Sequence, residues 1–252
     1  MTFALQLKPD ISMDLQLIPP GEFTMGLEPD AFVRKMSLHP DNDKWPENFL
    51  LPRRVQVFMP FYLGRTTVTQ AQWQVVQGTN PAHFTGEDQL PMENVSAYEA
   101  DAYCQTLSIL TQRHIRLPSQ AEWEYACRAG STTLFHFGDS IDELEQYGWY
   151  RGNSDMRSHP VGLKRPNPWG LYDMHGGIDE FCQDPDHPND QGAPSDQRPW
   201  MDGGDMTQRI MRGGSWYDIG AYCCSPHQNC YPVDSGSEDH GLRVVVEISE
   251  AS

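Results

Sequence analysis

The chain has 252 residues, a formal net charge of −17 and a pI near 4.7, so neither nucleic acid nor an anionic membrane surface is an expected partner. A hydrophobic fraction of 38% with seven tryptophans excludes a disordered chain, while 20 prolines and 21 glycines call for many turns. No apolar run is long enough to span a membrane, and MTFALQLKPDISMD lacks a basic stretch followed by a long apolar one. No membrane insertion and no signal peptide are therefore expected, and a cytoplasmic location is the default.

In chain order, Leu15 to Ile18, Pro19-Pro20-Gly21 and Glu22 to Gly26 predict strand, turn and strand. Residues 28–52 hold Pro, Asp, Asn and a lone Trp45 and are expected as a long inserted loop. Arg54 to Phe58 and Phe61 to Gly64 predict two further strands. Three capping boxes follow, Thr69-x-x-Gln72, Ser96-x-x-Glu99 and Ser119-x-x-Glu122. They predict helices near 70–77, 97–111 and 120–129, the first and third stopped by Gly78 and Gly130. In the second, Ala100, Tyr103, Cys104, Leu107 and Leu110 share one face. Ile115 to Leu117 predicts a short strand. Turns and short strands are expected over 131–210, with an exposed loop at 183–199. A single α+β domain over 1–252 accounts for the whole pattern.

The six cysteines at 104, 127, 182, 223, 224 and 230 form no C-x-x-C pair with zinc spacing. Cys104 and Cys127 fall in helical patterns as buried apolar residues. A bridge between the adjacent Cys223 and Cys224 would be strained.

Near the C-terminus, Arg212-Gly213-Gly214-Ser215-Trp216 suits a tight turn into a buried indole. Leu242-Arg243-Val244-Val245-Val246 predicts a closing strand. The segment between, 217–240, has no helical or strand period and contains no Lys, Arg, Met or Trp. It is rich in Tyr217, Asp218, Ile219, Tyr222, His227, Asn229, Cys230, Tyr231, Asp234, Ser235, Asp239 and His240. Tyrosine gives large contact area at low entropy cost, and short polar groups give adaptable hydrogen bonds. Composition alone leaves two readings open, a polar surface loop and a binding surface.

Blocks along the chain give the pattern a family likeness: IPPGEFTMG at 18–26, FYLGRTTVTQAQW at 61–73, IRLPSQAEWEYACRAG at 115–130, NPWGLYDMHGGIDEF at 167–181, and RGGSW…GLR at 212–243. They resemble the formylglycine-generating enzyme, or sulfatase-modifying factor, family over nearly the whole chain. The resemblance implies an irregular, loop-rich α+β domain of the C-type-lectin type, with packed helices and a twisted antiparallel sheet. Trp123, Tyr125, Trp169, Leu171 and Tyr172 then serve as packing anchors.

The family's oxidase uses two cysteines five residues apart after GGSW, holding copper in its aerobic members. Soft Cu(I) takes thiolates. Here the second position is Cys223 and the first is Asp218, so no copper and no oxidase activity are expected. Cys223 is the one catalytic candidate if the chain is an enzyme. The alternative that stays open is a formylglycine-generating-type oxidase or a related metal-dependent enzyme acting on cysteine, sulfur or siderophore substrates, the last as in the family's branch in siderophore chromophore maturation.

The family resemblance also implies a calcium site at Asp173, Gly176, Ile178 and Glu180, two carboxylates joined by two backbone carbonyls. A solvated acidic turn is the other reading of DMHGGIDE, in which Gly177 and Asp179 replace the family's Asn and Trp. Targets of diversity-generating retroelements resemble this chain too, in their lectin-like fold and RGGSW…GLRVV tail. Their mutagenesis randomises adenines in AAY codons, which never yields Lys, Met, Trp, Gln or Glu. In 217–240 only Gln228 and Glu238 fall outside that set. This resemblance implies a variable region within 212–243 that displays Tyr217, Asp218, Tyr222, His227, Asn229, Tyr231, Asp239 and His240 together to a partner, expected to be a protein of unknown identity.

Overall fold

The computed structural model of the chain describes residues 1–28 and 51–248, so most of the loop expected at 28–52, with Trp45, lies outside the described residues. All three capping boxes form. Thr69, Ser96 and Ser119 each accept from the backbone of the residue three ahead, and Gln72, Glu99 and Glu122 answer at the cap backbone. The helices they open are α1 (Gln70–Gln77), α2 (Ala97–Thr111) and α3 (Gln120–Arg128). Gly78 closes α1 at φ 75°, a left-handed conformation that glycine takes without strain.

Eleven strands are present among the described residues: β1 (Thr2–Lys8), β2 (Ile11–Ile18), β3 (Gly21–Met25), β4 (Arg53–Val57), β5 (Phe61–Gly64), β6 (Ile115–Arg116), β7 (Asp179–Asp186), β8 (Asp205–Arg212), β9 (Asn229–Pro232), β10 (His240–Gly241) and β11 (Val245–Glu247). One sheet runs β1-β2-β5-β11-β6, a second β10-β7-β8-β9, and β3 pairs with β4. The expected α+β, loop-rich architecture is the one observed, and no α-helix among the described residues follows α3.

The closing strand joins the layers. Val245 pairs with Leu63 of β5 on one side and Arg116 of β6 on the other. Side chains alternate along a strand, so Val244 and Val246 enter the core built on α1 and α2, while Val245 enters the core built on α3. In the first core Trp73 stacks on Tyr103, with ring centroids 5.0 Å apart. In the second, Trp123 is fully buried, and Tyr125 packs edge-on against Trp169 at 4.9 Å.

Two expectations are corrected. Leu110 is 62% exposed, because the last turn of α2 continues beyond the core that Tyr103, Cys104 and Leu107 fill. The exposed loop expected from residue 183 begins later, since β7 continues to Asp186. The pairing register of β7 with β8 shifts on either side of Pro185, as a proline inside a ladder requires. Asp184 is buried there and accepts from the backbone N–H groups of Gln120 and Trp200, both at 2.8 Å. It thereby satisfies a free N–H in the first turn of α3.

Candidate binding surface

Two arginines pin the ends of the segment 217–240. Arg212, at the end of β8, is fully buried and donates to Glu124 and to the Ser225 carbonyl, the latter at 2.8 Å. Glu124 also accepts from Arg128 at 2.8 Å and from the Gly26 N–H at 2.9 Å. At the other end Arg243 is equally buried. It grips Glu180 at 2.7 Å and donates to the carbonyls of Gly64 and Tyr172 at 2.8 and 2.9 Å.

The turn between them depends on glycine. Gly213 and Gly214 have φ of 110° and 68°. A Cβ on Gly214 would lie 3.0 Å from the Cys223 sulfur. Trp216 is then buried, its Nε1 donating to the Glu238 carbonyl at 3.2 Å and its ring meeting the edge of Phe84 at 5.4 Å.

Between the anchors the segment is partly structured. A short 3₁₀ turn spans Gly220–Cys223, and β9 adds to the free edge of β8 with Ile210 opposite Cys230. The strand was invisible as a period because β8 supplies its partner. Tyr217 is 48% exposed and Asn229 is exposed, whereas Asp218, Ile219, Tyr222, Cys230, Tyr231 and Asp239 are half-buried.

His227 and His240 correct the expected set, being only 7% and 4% exposed. His227 stacks against Tyr222 at 5.0 Å and 12°, and His240 takes the edge of Tyr231 at 4.1 Å. Each imidazole fills space next to a more exposed tyrosine. Burial, then the nearby Arg212 charge, lowers the His227 pKa to about 3. Arg151, which the sequence reading did not single out, places its guanidinium 4.9 Å from the Tyr217 ring centre and donates to the Tyr217 carbonyl at 2.8 Å.

Carboxyl groups gather under this turn. The Ser215 hydroxyl lies 2.8 Å from an Asp218 oxygen and 3.0 Å from an Asp239 oxygen, and the Gly214 N–H donates to Asp179 at 3.2 Å. Burial, and then the Asp218 and Asp239 charges, push the Asp179 pKa well above its usual value. Burial likewise raises Asp218.

The expected copper and calcium chemistries meet different donors. All six cysteines are free, and Cys223 is fully buried, its pKa pushed well up first by that burial and then by Asp218 and Asp179. Asp218, where the family's first cysteine stands, is tied to Ser215. One buried thiol beside a carboxylate does not fit a two-thiolate copper site.

For calcium, both Glu180 oxygens are occupied, by Arg243 and by Trp123 Nε1, the latter at 2.7 Å. Asp173 accepts from the Gly162 N–H at 2.8 Å, its other oxygen has no partner, and burial raises its pKa to about 6. The expected set Asp173, Gly176, Ile178 and Glu180 therefore does not fit a hard dication needing about six to eight oxygens, because Arg243 already neutralises Glu180. Among the described residues no group of three or more His, Cys, Asp or Glu could hold a metal ion.

The blocks, the two-layer fold and the buried arginine anchors define one class. A family model for the sulfatase-modifying factor enzyme 1-like domain matches residues 8–248, and the chain belongs to that family. Among solved structures it is similar to Treponema denticola variable protein 1, with a TM-score of 0.84, 25% identity and coverage of 98% of this chain and 99% of that one. It is also similar to PvdO from Pseudomonas aeruginosa, with a TM-score of 0.81, 26% identity and 98% of each chain covered. The formylglycine-generating enzyme of Bos taurus is 26% identical over 249 residues, covering 86% of this chain but 62% of that protein. No helix among the described residues is long and apolar enough to cross a membrane.

Proposed function

We propose that this chain is a ligand-binding variable protein, diversified by a retroelement within 212–243, that displays the segment 217–240 to a protein partner. The observation that carries the reading is the composition of that segment. Only Gln228 and Glu238 fall outside the residue types that randomised AAY codons can reach. Three further observations support it. The segment lies between two fully buried arginines, so its backbone is held while surface side chains are free to differ. Tyr217 and Asn229 are exposed on it. The chain matches Treponema denticola variable protein 1 along almost all of its length.

Sequencing the DNA around the gene tests the reading. A nearby reverse transcriptase gene and a near-copy repeat of the last coding bases, differing at adenines, are the expected result. Flanks without such a repeat overturn it.

A second reading, a metal-dependent enzyme acting on sulfur or siderophore substrates, draws on the buried Asp179, Asp218, Ser215 and Cys223 cluster, since perturbed carboxyls often mark reactive sites. Incubation with Cu(I) and a cysteine-containing sulfatase-type peptide separates the two. Aldehyde formation abolished by Cys223→Ser would favour the enzyme.

A further inference from the structure

Glu93, in the loop between α1 and α2, has no exposed surface. One carboxyl oxygen accepts from the Phe84 N–H at 2.8 Å, and the other, Oε2, is buried with no hydrogen-bond partner among the described residues. An unpaired buried carboxylate oxygen is costly, and no arginine or lysine among the described residues pairs with it as the usual remedy.

The groups around Glu93 have the wrong sign. On the C-terminal segment its charged neighbours are Glu238 and Asp239. Behind Asp239 stand Asp218, through the shared Ser215 hydroxyl, and Asp179, whose N–H donates to the Asp239 carbonyl. The nearby bases are engaged elsewhere. His83 pairs with Glu238 at 3.3 Å, Arg151 lies by Asp218 and Tyr217, and His240 Nε2 is 3.6 Å from Asp239.

This loop also fastens the end of the segment. The Asn94 N–H donates to the Ser237 carbonyl at 2.8 Å, and just beyond the loop the Tyr98 N–H in the first turn of α2 donates to the Val233 carbonyl at 3.3 Å. Gly236 lies so close that a Cβ there would be 2.9 Å from the Asn94 backbone. Phe84, whose N–H donates to Glu93, also packs its ring perpendicular to that of Trp216.

We propose that Glu93 is a proton-operated clamp: with its carboxyl neutral the 81–94 loop grips residues 233–240, and on ionisation its charge meets those of Glu238 and Asp239 and the grip loosens. Burial, with a smaller push from those neighbouring charges, raises the Glu93 pKa from 4.5 to about 7 against the backbone N–H groups of Phe84 and His83, which lower it. The neutral carboxyl belongs to the closed form. Closure is therefore at full strength below the ordinary carboxyl value and is lost as pH rises through about 7. The clamp regulates the surface proposed above and rests on that reading for its biological use, but its opening is measurable whether or not a partner exists.

Hydrogen exchange at the Asn94 amide, corrected for intrinsic rates, reads the opening. Protection should fall by up to about tenfold per pH unit between about 5 and 7 and level off above. The Gly64 amide, bonded to the Val244 carbonyl in the first sheet, should show no such fall. Glu93→Gln keeps an acceptor for Phe84 and cannot ionise, so its Asn94 protection should be flat across the range. Equal slopes in the two proteins overturn the clamp. Carboxyl ¹³C titration of the unmodified chain gives a check that needs no variant: a Glu93 midpoint near 7 supports the clamp, and one near 4.5 overturns it. If Glu93 behaves as proposed but the flanking DNA holds no repeat, the clamp stands and the variable-protein reading fails.

Discussion

Glu124 and Glu93 are both glutamates with no exposed surface, and the fold treats them in opposite ways. Burial pushes Glu124 up, but Arg128 and Arg212 outweigh it, and its pKa ends below the usual value. Glu93 has no such cation among the described residues, and burial raises its pKa to about 7. The first carboxylate belongs to the anchors that fix where the segment 217–240 starts. The second lies where that segment returns to the core. Buried acids paired with arginine make a frame that keeps its charge state across the neutral range, while buried acids facing other acids make a junction that responds to protons.

Breaking the frame should have the largest effect. Glu124→Leu leaves Arg128 and Arg212 buried without their carboxylate, a change expected to cost about 3–5 kcal/mol in a denaturant titration. Because the Glu124 pKa is lowered, its contribution is present above the ordinary carboxyl value and is lost as pH falls through the folded value. The gap between the variant and the parent should therefore narrow in acid. A gap that is unchanged down to pH 3 would mean that these pairs contribute little.

These long-range pairs mark the limit of what the sequence shows. Capping boxes are local, with both partners three residues apart, and all three helices were legible from them. Glu180 and Arg243 are 63 positions apart, and no local pattern announces that one neutralises the other. The calcium expectation rests on a local motif, which shows which carboxylates exist but not what already faces them. Strand β1 is legible in principle, because Phe3, Leu5 and Leu7 recur at every second position, but it is not among the strands expected from the sequence. His227 and His240 were misplaced for another reason. Composition says that a segment is polar, while which side chains turn inward depends on whether a neighbouring tyrosine covers them.

His227 gives a medium-sized test of the same contrast within the segment itself. Its lowered pKa means that the fold requires the neutral imidazole. Its stabilising contribution is complete above about 6.5 and is lost as pH falls toward about 3. His227→Phe keeps a ring to stack on Tyr222 and removes the titration. Between pH 6.5 and 4 the parent should lose about 1–3 kcal/mol more than the variant. Parallel stability curves would show that His227 already titrates normally and that the segment is looser than its packing against Tyr222 implies.

The smallest expected effect is at the exposed positions, where it tests whether display and stability are separate. Tyr217 is about half exposed and rests on Arg151, and Asn229 is exposed on the edge strand β9. Neither fills the core, and neither is the buried partner of a charge. Asn229→Ala should therefore shift stability by no more than about 0.5 kcal/mol, and Tyr217→Ala by little more, since surface substitutions away from caps, cavities and buried pairs are nearly neutral. The Arg151 contact adds at most about 0.5–1 kcal/mol at an exposed site, which sets an upper bound on the Tyr217 term. Denaturant midpoints of the double variant and the parent should then nearly coincide. Asn94 exchange should coincide as well, because both substitutions leave Glu93, Glu238 and Asp239 in place. Tyrosine is enriched where binding energy concentrates, so capture of a partner selected against the parent surface should weaken by tenfold or more. A double variant that loses several kcal/mol instead would place Tyr217 and Asn229 in the frame rather than on the displayed face.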